Sequence, residues 1–266
     1  MRVRGAVEPT DGYPVLTAQD TRDIAYKLMS QVQVTRFEQR REMDLGITVP
    51  DVTRLRVNVF QERGSIGLVM RLIPLKIYTI DDLLLPPVLK DIVKRKSGIV
   101  LVTGPTGCGK STTLAAMLEE INLYRHCTVI TVEDPIEFVH PDAEAFFIQR
   151  EVAIDTESFT DALKYAMRQS PDVNLIGEMR DIETFSVAMT AAETGHLVFS
   201  TVHTRSAAET IDRIINMFPP ADKPQVCLRL SETLLAVVTQ KLLPRADATG
   251  RIAALEIMVV TPTISK

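Results

Sequence analysis

Gly104-Pro105-Thr106-Gly107-Cys108-Gly109-Lys110-Ser111 fits the pattern G-x-x-x-x-G-K-[ST] in full. Glycines at this spacing let backbone N–H groups turn inward around a phosphate, and the helix that follows points its positive end at the same anion. In that chemistry Lys110 reaches the β- and γ-phosphates of a nucleoside triphosphate. The Ser111 hydroxyl joins a Mg²⁺ shell, with Thr112 beside it. Cys108 occupies a variable position and contributes backbone. Its thiol lies near a helix N-terminus, where thiol pKa values fall, so alkylation at Cys108 is expected to block the loop.

Acidic residues at neighbouring strand ends complete such a site. Val129–Val132 runs into Glu133-Asp134-Pro135-Ile136-Glu137, and Val173–Ile176 runs into Gly177-Glu178-Met179-Arg180-Asp181. Each cluster puts a carboxylate just past an apolar run, where ligands collect in open α/β sheets. Glu178 is the choice for orienting and activating an attacking water, while Glu133 and Asp134 hold the Mg²⁺ shell directly or through water. Glu137 and Asp181 have the alternative of capping the helices that follow them. His196 and His203 bracket the run Leu197–Val202. His203, at its C-terminal end, is the better γ-phosphate sensor, and His196 is equally a packing residue.

These groups need a scaffold. From Gly98 onward, apolar runs at Ile99–Val102, Thr128–Val132, Val173–Ile176 and Leu197–Val202 alternate with helical patterns near Lys110–Leu123, Ser158–Arg168 and Ile182–Thr194. This rhythm predicts an α/β fold with a mostly parallel sheet sandwiched by helices. Ser206 and Glu209 form a capping box for a helix reaching Phe218. A long helix is expected near Asp222–Leu243, and a further strand at Ile252–Val259.

The first part reads as a smaller α+β domain. Met1–Val7 is a strand candidate. Thr17 and Asp20 start a helix with Ile24, Leu28 and Val32 on one face. Arg54–Gln61 and Ile66–Ile73, separated by Glu62-Arg63-Gly64-Ser65, predict a hairpin. Residues 1–74 are assigned to this domain, 75–81 to a linker that begins in Pro74-Leu75-Lys76, and 82–266 to the α/β domain. A helix is expected over Ile80–Lys96.

Among 266 residues, 45% are apolar and 24% charged, the balance of an ordinary globular chain. A net charge of −4 argues against coating nucleic acid. The three cysteines, Cys108, Cys127 and Cys227, lack disulfide or zinc spacing. With neither a secretion signal nor an apolar run of membrane length, the expected location is cytoplasmic, without direct membrane insertion.

GPTGCGKSTTLAAML, TVEDPIEF, GEMRD and TAAETGHLVFSTVHT, in that order, resemble the secretion-ATPase family. That family powers type II secretion, type IV pilus assembly and pilus retraction. The resemblance runs from about Arg2 to Thr263. The wording of GEMRD and TAAETGH, and the lack of a four-cysteine zinc module, point to the retraction branch. The resemblance implies a RecA-like motor domain preceded by a PAS-like domain, assembled as a ring of six that hydrolyses ATP with Mg²⁺. It also implies an inner-membrane pilus platform protein as partner, through which the motor meets the membrane. Gly104–Ser111 becomes Walker A, Glu133–Glu137 the Asp box, Gly177–Asp181 Walker B, and the segment ending at His203 the His box.

Arg56 in RLRVNVF and Arg71 in VMRLIP match arginines that the family's N-terminal domain lends to bound nucleotide. Surface arginines on an edge hairpin are the alternative for Arg56 and Arg71, and Arg54 and Arg213 are weaker candidates. Family members carry another strand region before Met1–Val7 and further helices after TPTISK, so both domains are expected to be shortened. The rival functions are an assembly, secretion or accessory retraction ATPase of the same family, a DNA-translocating motor, and a nucleotide-binding regulatory subunit without turnover.

Overall fold

Short pairings and two capping boxes shape the start of the chain. The computed structural model describes residues 1–3, 6–49, 52–73, 76–246 and 250–261. Strands β1 (Arg2–Val3) and β2 (Ala6–Val7) pair antiparallel. They replace the single strand expected over Met1–Val7. Thr17 and Asp20 form the capping box of α1 (Ala18–Leu28). Ser30 and Gln33 then open a second helix, α2 (Gln31–Arg40), where the sequence suggested one continuous face. Val32 is 78% exposed as a result, because the break at Met29-Ser30 turns it off the face carrying Ile24 and Leu28.

β3 (Glu42–Val49), β4 (Thr53–Glu62) and β5 (Ser65–Ile73) make an antiparallel sheet in that order. The β4–β5 hairpin is the expected one, extended by a residue or two. β3 is an addition, since Glu42, Asp44 and Gly46 are weak strand formers that depend on pairing with β4. Alternation sends Val57 and Val59 to the core with Ala25, Phe37 and Leu45.

Met1–Ile73 and Pro74–Lys266 are two compact units. Pro74 and Leu75, where the linker was placed, lie outside the described residues. Ile80, assigned to the linker's end, is fully buried in the core of the larger unit. The helix expected over Ile80–Lys96 shrinks to α3 (Val88–Val93). Pro86 and Pro87 supply no N–H, and Leu84 adopts φ 54°, so the preceding turns cannot join a helix.

The larger unit then runs β6 (Gly98–Thr103), α4 (Lys110–Tyr124), β7 (Thr128–Glu133), β8 (Phe146–Glu151), α5 (Phe159–Ala166), β9 (Val173–Ile176), α6 (Ile182–Glu193), β10 (Leu197–Val202), α7 (Ala207–Met217), α8 (Lys223–Thr233), β11 (Leu234–Pro244) and β12 (Arg251–Val259). Ser206 caps α7 by accepting from Glu209 N, but the Glu209 carboxylate takes the N–H of Arg205, so the box is not reciprocal.

The seven-stranded sheet has the order β12-β11-β6-β10-β9-β7-β8, parallel except for β12. α3 and α4 pack on one face through Val100, Val102, Leu175 and Phe199. α5 to α8 pack on the other through Ile99, Leu101, Val198 and Val237. The long helix expected over Asp222–Leu243 ends at Thr233, and Leu234 onward is a strand beside β6. Burial on both faces erases the period that separates helix from strand, and β-branched Val237-Val238-Thr239 suit the strand. Among the described residues no helix is long and apolar enough to cross a membrane.

Candidate nucleotide site

The parallel order places the carboxyl ends of β6, β10, β9 and β7 side by side. All six residues of β6 are buried, so the strand delivers Gly104 to a fixed point at the sheet's edge. Gly104 has φ 139°, and a Cβ there would lie 2.4 Å from the backbone oxygen of Gln240. Gly109 ends the loop at φ 91°, in the left-handed region, as N-cap of α4. No side chain caps α4. Its first-turn amides therefore face outward as anion donors.

Lys110 is buried, and its Nζ donates to Gly104 O at 2.9 Å and to Pro105 O at 3.3 Å. The loop is folded around its own lysine. Burial holds the ammonium below its ordinary pKa, while Cys108 and the carboxylates Glu137 and Glu178 act in the opposite sense. Cys108 is only 4% exposed, which removes the expected reason for alkylation sensitivity. Ser111 lines a cavity of about 40 Å³ together with Glu133, His140, Gly177 and Thr201. Thr112 follows on the first turn of α4, and Pro105, Thr106 and Gly107 form the exposed crest of the loop.

Glu133 ends β7. Its carboxylate accepts from Thr131 Oγ1 at 2.8 Å, from Glu137 N at 3.3 Å and from Gln149 Nε2 at 3.4 Å. The residue keeps some exposed surface, but the carboxyl itself is enclosed, and burial pushes its pKa up to about 7 despite those donors. A buried carboxyl of this kind beside the Ser111 hydroxyl fits a divalent cation. Among the described residues no three His, Cys, Asp or Glu side chains converge as a closed metal cage. Such a cation would take Ser111, Glu133 directly or through water, and oxygens of the nucleotide, the usual habit of Mg²⁺. Asp134 is exposed at the start of the following loop, in a cis peptide bond to Pro135.

Glu178 stands just past β9. Thr201 Oγ1 donates to Gly177 O at 2.7 Å, and Gly177 N to Val132 O at 2.8 Å, which ties this turn to β10 and β7. The Glu178 carboxylate lies 2.6 Å from Arg180 Nη2 and 3.8 Å from His203 Nε2. Burial first, then the positive charge of Lys110, holds His203 below its ordinary pKa. The imidazole is thus neutral at pH 7 and can both donate and accept.

Other candidates fall elsewhere. His196 is at the amino end of β10, about 20 Å along the strand from His203, with Nδ1 on Ala191 O at 2.9 Å. It packs a turn. Arg213, on α7, donates to His203 O at 2.9 Å, which makes it a support of that residue's backbone. Asp181 caps α6 by accepting from Thr184 N. Arg56 and Arg71 belong to the smaller unit, where they are direct partners across the β4–β5 register and so share one face. Arg54 Nη1 donates to Thr48 Oγ1 at 3.1 Å.

Residues 36–263 match the family described as type II/IV secretion system protein. This chain is a member of that family. It is 47% identical to the type IV pilus retraction ATPase PilT of Pseudomonas aeruginosa, over 99% of this chain and 76% of the relative. To the type IV pilus ATPase PilU of the same organism it is 40% identical, over 98% and 68%. The crystal structure of the pilus retraction motor PilT with bound ADP superimposes with a TM-score of 0.95 at 43% identity, covering 99% of this chain and 77% of that one.

In this member of the secretion ATPase family, sequence reasoning missed the supports. Gln149 accepts from His140 N and donates to Phe138 O and Glu133. Buried Asn122 on α4 donates to Pro141 O and accepts from Ala143 N. Gln240 holds the Gly104–Ser111 loop from β11. None has a spacing signal, because partners come from distant stretches.

Proposed function

We propose that the protein hydrolyses ATP and powers retraction of a type IV pilus, working as a ring of six copies in the cytoplasm against an inner-membrane platform protein. One observation carries the reading. The loop around Lys110 and the carboxylates Glu133 and Glu178 stand at the carboxyl ends of β6, β7 and β9 in one parallel sheet, in a chain 47% identical to a retraction ATPase over nearly its whole length.

Lys110 exchanges the carbonyls of Gly104 and Pro105 for the β- and γ-phosphates, helped by the amides of Gly107 to Thr112. Ser111, with Glu133 and Asp134 behind it, would hold Mg²⁺, which would supply charge neutralisation at the phosphates. Glu178 accepts a hydrogen bond from water and aligns its oxygen with the γ-phosphorus. As the bond from the water oxygen to the γ-phosphorus forms, the bond from that phosphorus to the β–γ bridging oxygen breaks, leaving ADP and phosphate, and the water proton passes to Glu178 and on to solvent. His203, neutral and beside Glu178, reads the presence of the γ-phosphate. Arg56 and Arg71 are assigned to the charge on the transferring phosphoryl group, where guanidinium forks match phosphate oxygens.

The test is Mg²⁺-dependent ATP turnover per chain over a range of protein concentrations, with Glu178→Gln as control. Turnover that rises with concentration and vanishes in the variant is expected of a ring motor. No turnover at any concentration, with ATP bound, would replace this reading with a regulatory subunit.

A further inference from the structure

We propose that Gln240, on β11, sets the shape of the phosphate loop and is a positioning residue for the nucleotide. This rests on the loop being the nucleotide site. Gln240 is 2% exposed and follows Thr239, the register partner of Thr103, so it stands level with the start of the loop. Its Nε2 donates to Cys108 O at 2.7 Å, and its Oε1 accepts from Thr113 Oγ1 at 2.7 Å. One buried amide joins the loop to the first turn of α4.

The consequence follows from peptide geometry. In a planar trans peptide the C=O and the N–H of the next residue point in opposite directions. Pulling Cys108 C=O toward Gln240 therefore turns Gly109 N–H away from β11, into the concavity that Lys110 now fills. A loop whose amide already points inward need not reorganise on binding an anion. Only a primary amide does this work at both ends. A carboxylate has no donor for Cys108 O, and an apolar side chain leaves both Cys108 O and the Thr113 hydroxyl buried without a partner.

The neighbouring glycines fit the same account. A Cβ at Gly109 would come within 2.8 Å of Gln240 Nε2, and one at Gly104 within 2.4 Å of Gln240 O. The loop lies against this residue at both of its ends.

The test measures affinity for a fluorescent ADP analogue, with melting of the nucleotide-free chain alongside, for wild type, Gln240→Met, Thr113→Val, their double variant and Val237→Ala. Val237 is a buried core residue of the same strand with no part in the loop. Expected are about tenfold weaker binding in Gln240→Met and severalfold in Thr113→Val. The double variant should be little weaker than Gln240→Met, because the two act through one contact. Val237→Ala should melt earlier and bind as wild type does. Should Gln240→Met not fold, Thr113→Val decides. Affinity within twofold of wild type in the folded variants overturns the inference while the nucleotide site stands. Failure of the wild type itself to bind overturns both.

Discussion

Arg180 Nη2 lies 2.6 Å from Glu178 Oε1, so a guanidinium holds the carboxylate assigned to the attacking water. Arg180 is 73% exposed and Glu178 18%, and a pair with one solvated partner opens at little cost. Glu178→Gln is expected to lower ATP turnover by at least ~100-fold with nucleotide affinity kept, since it removes the base. Arg180→Ala should change turnover by less than about tenfold. Steady-state kinetics on both variants separates these roles.

Glu133 gives a pH signature. Burial raises its pKa from 4.5 to about 7, so between those values the folded protein holds more protons than the unfolded chain. Stability therefore declines as pH rises through this window, and the contribution is gone above about 7. The melting temperature of the nucleotide-free protein should fall from pH 5 to pH 8, and the fall should shrink in Glu133→Gln. Thermal melts in a buffer series decide it, and an unchanged slope in the variant rules Glu133 out as its source.

Among the three cysteines, Cys108 is buried, Cys127 partly buried and Cys227 exposed. Brief treatment with N-ethylmaleimide should label Cys227 on α8 first and leave ATP turnover within about twofold. Peptide mapping of the adduct alongside turnover is the measurement. Early loss of activity that Cys108→Ser prevents would return the sensitivity to the loop.

Arg56 and Arg71 face the same side of their hairpin, and cations that share one anion are not additive. Each single alanine variant is expected to lower turnover by about tenfold or more, and the double variant by much less than the product. Equal turnover in all three would leave both as surface arginines of the sheet.

Much of this was legible beforehand because it depends on local chemistry. The loop Gly104–Ser111 declares itself through glycines at fixed spacing, and the four central parallel strands through short apolar runs, two of which end in acids. β8 escaped notice because Phe146–Glu151 is a brief edge strand in which only half the residues are apolar. In sequence β11 resembles a helix because Leu, Ala, Gln and Lys are good helix formers, and what overrides them is pairing with β6 across more than 130 residues. The same distance hides Gln240. Hydrogen bonds to Cys108 and Thr113 have no counterpart in any neighbouring stretch of sequence.

β6 is flanked by β10 and β11, and β11 follows β6 by more than 130 residues. A growing polypeptide that has completed everything through α8 still leaves one side of β6 open, with its N–H and C=O groups unpaired. The strand arriving to close that side also brings the amide that seats Cys108. Competence to hold a nucleotide should then appear abruptly, when β11 slots in beside β6. Until that moment the nascent chain displays a glycine motif without the amide that seats it.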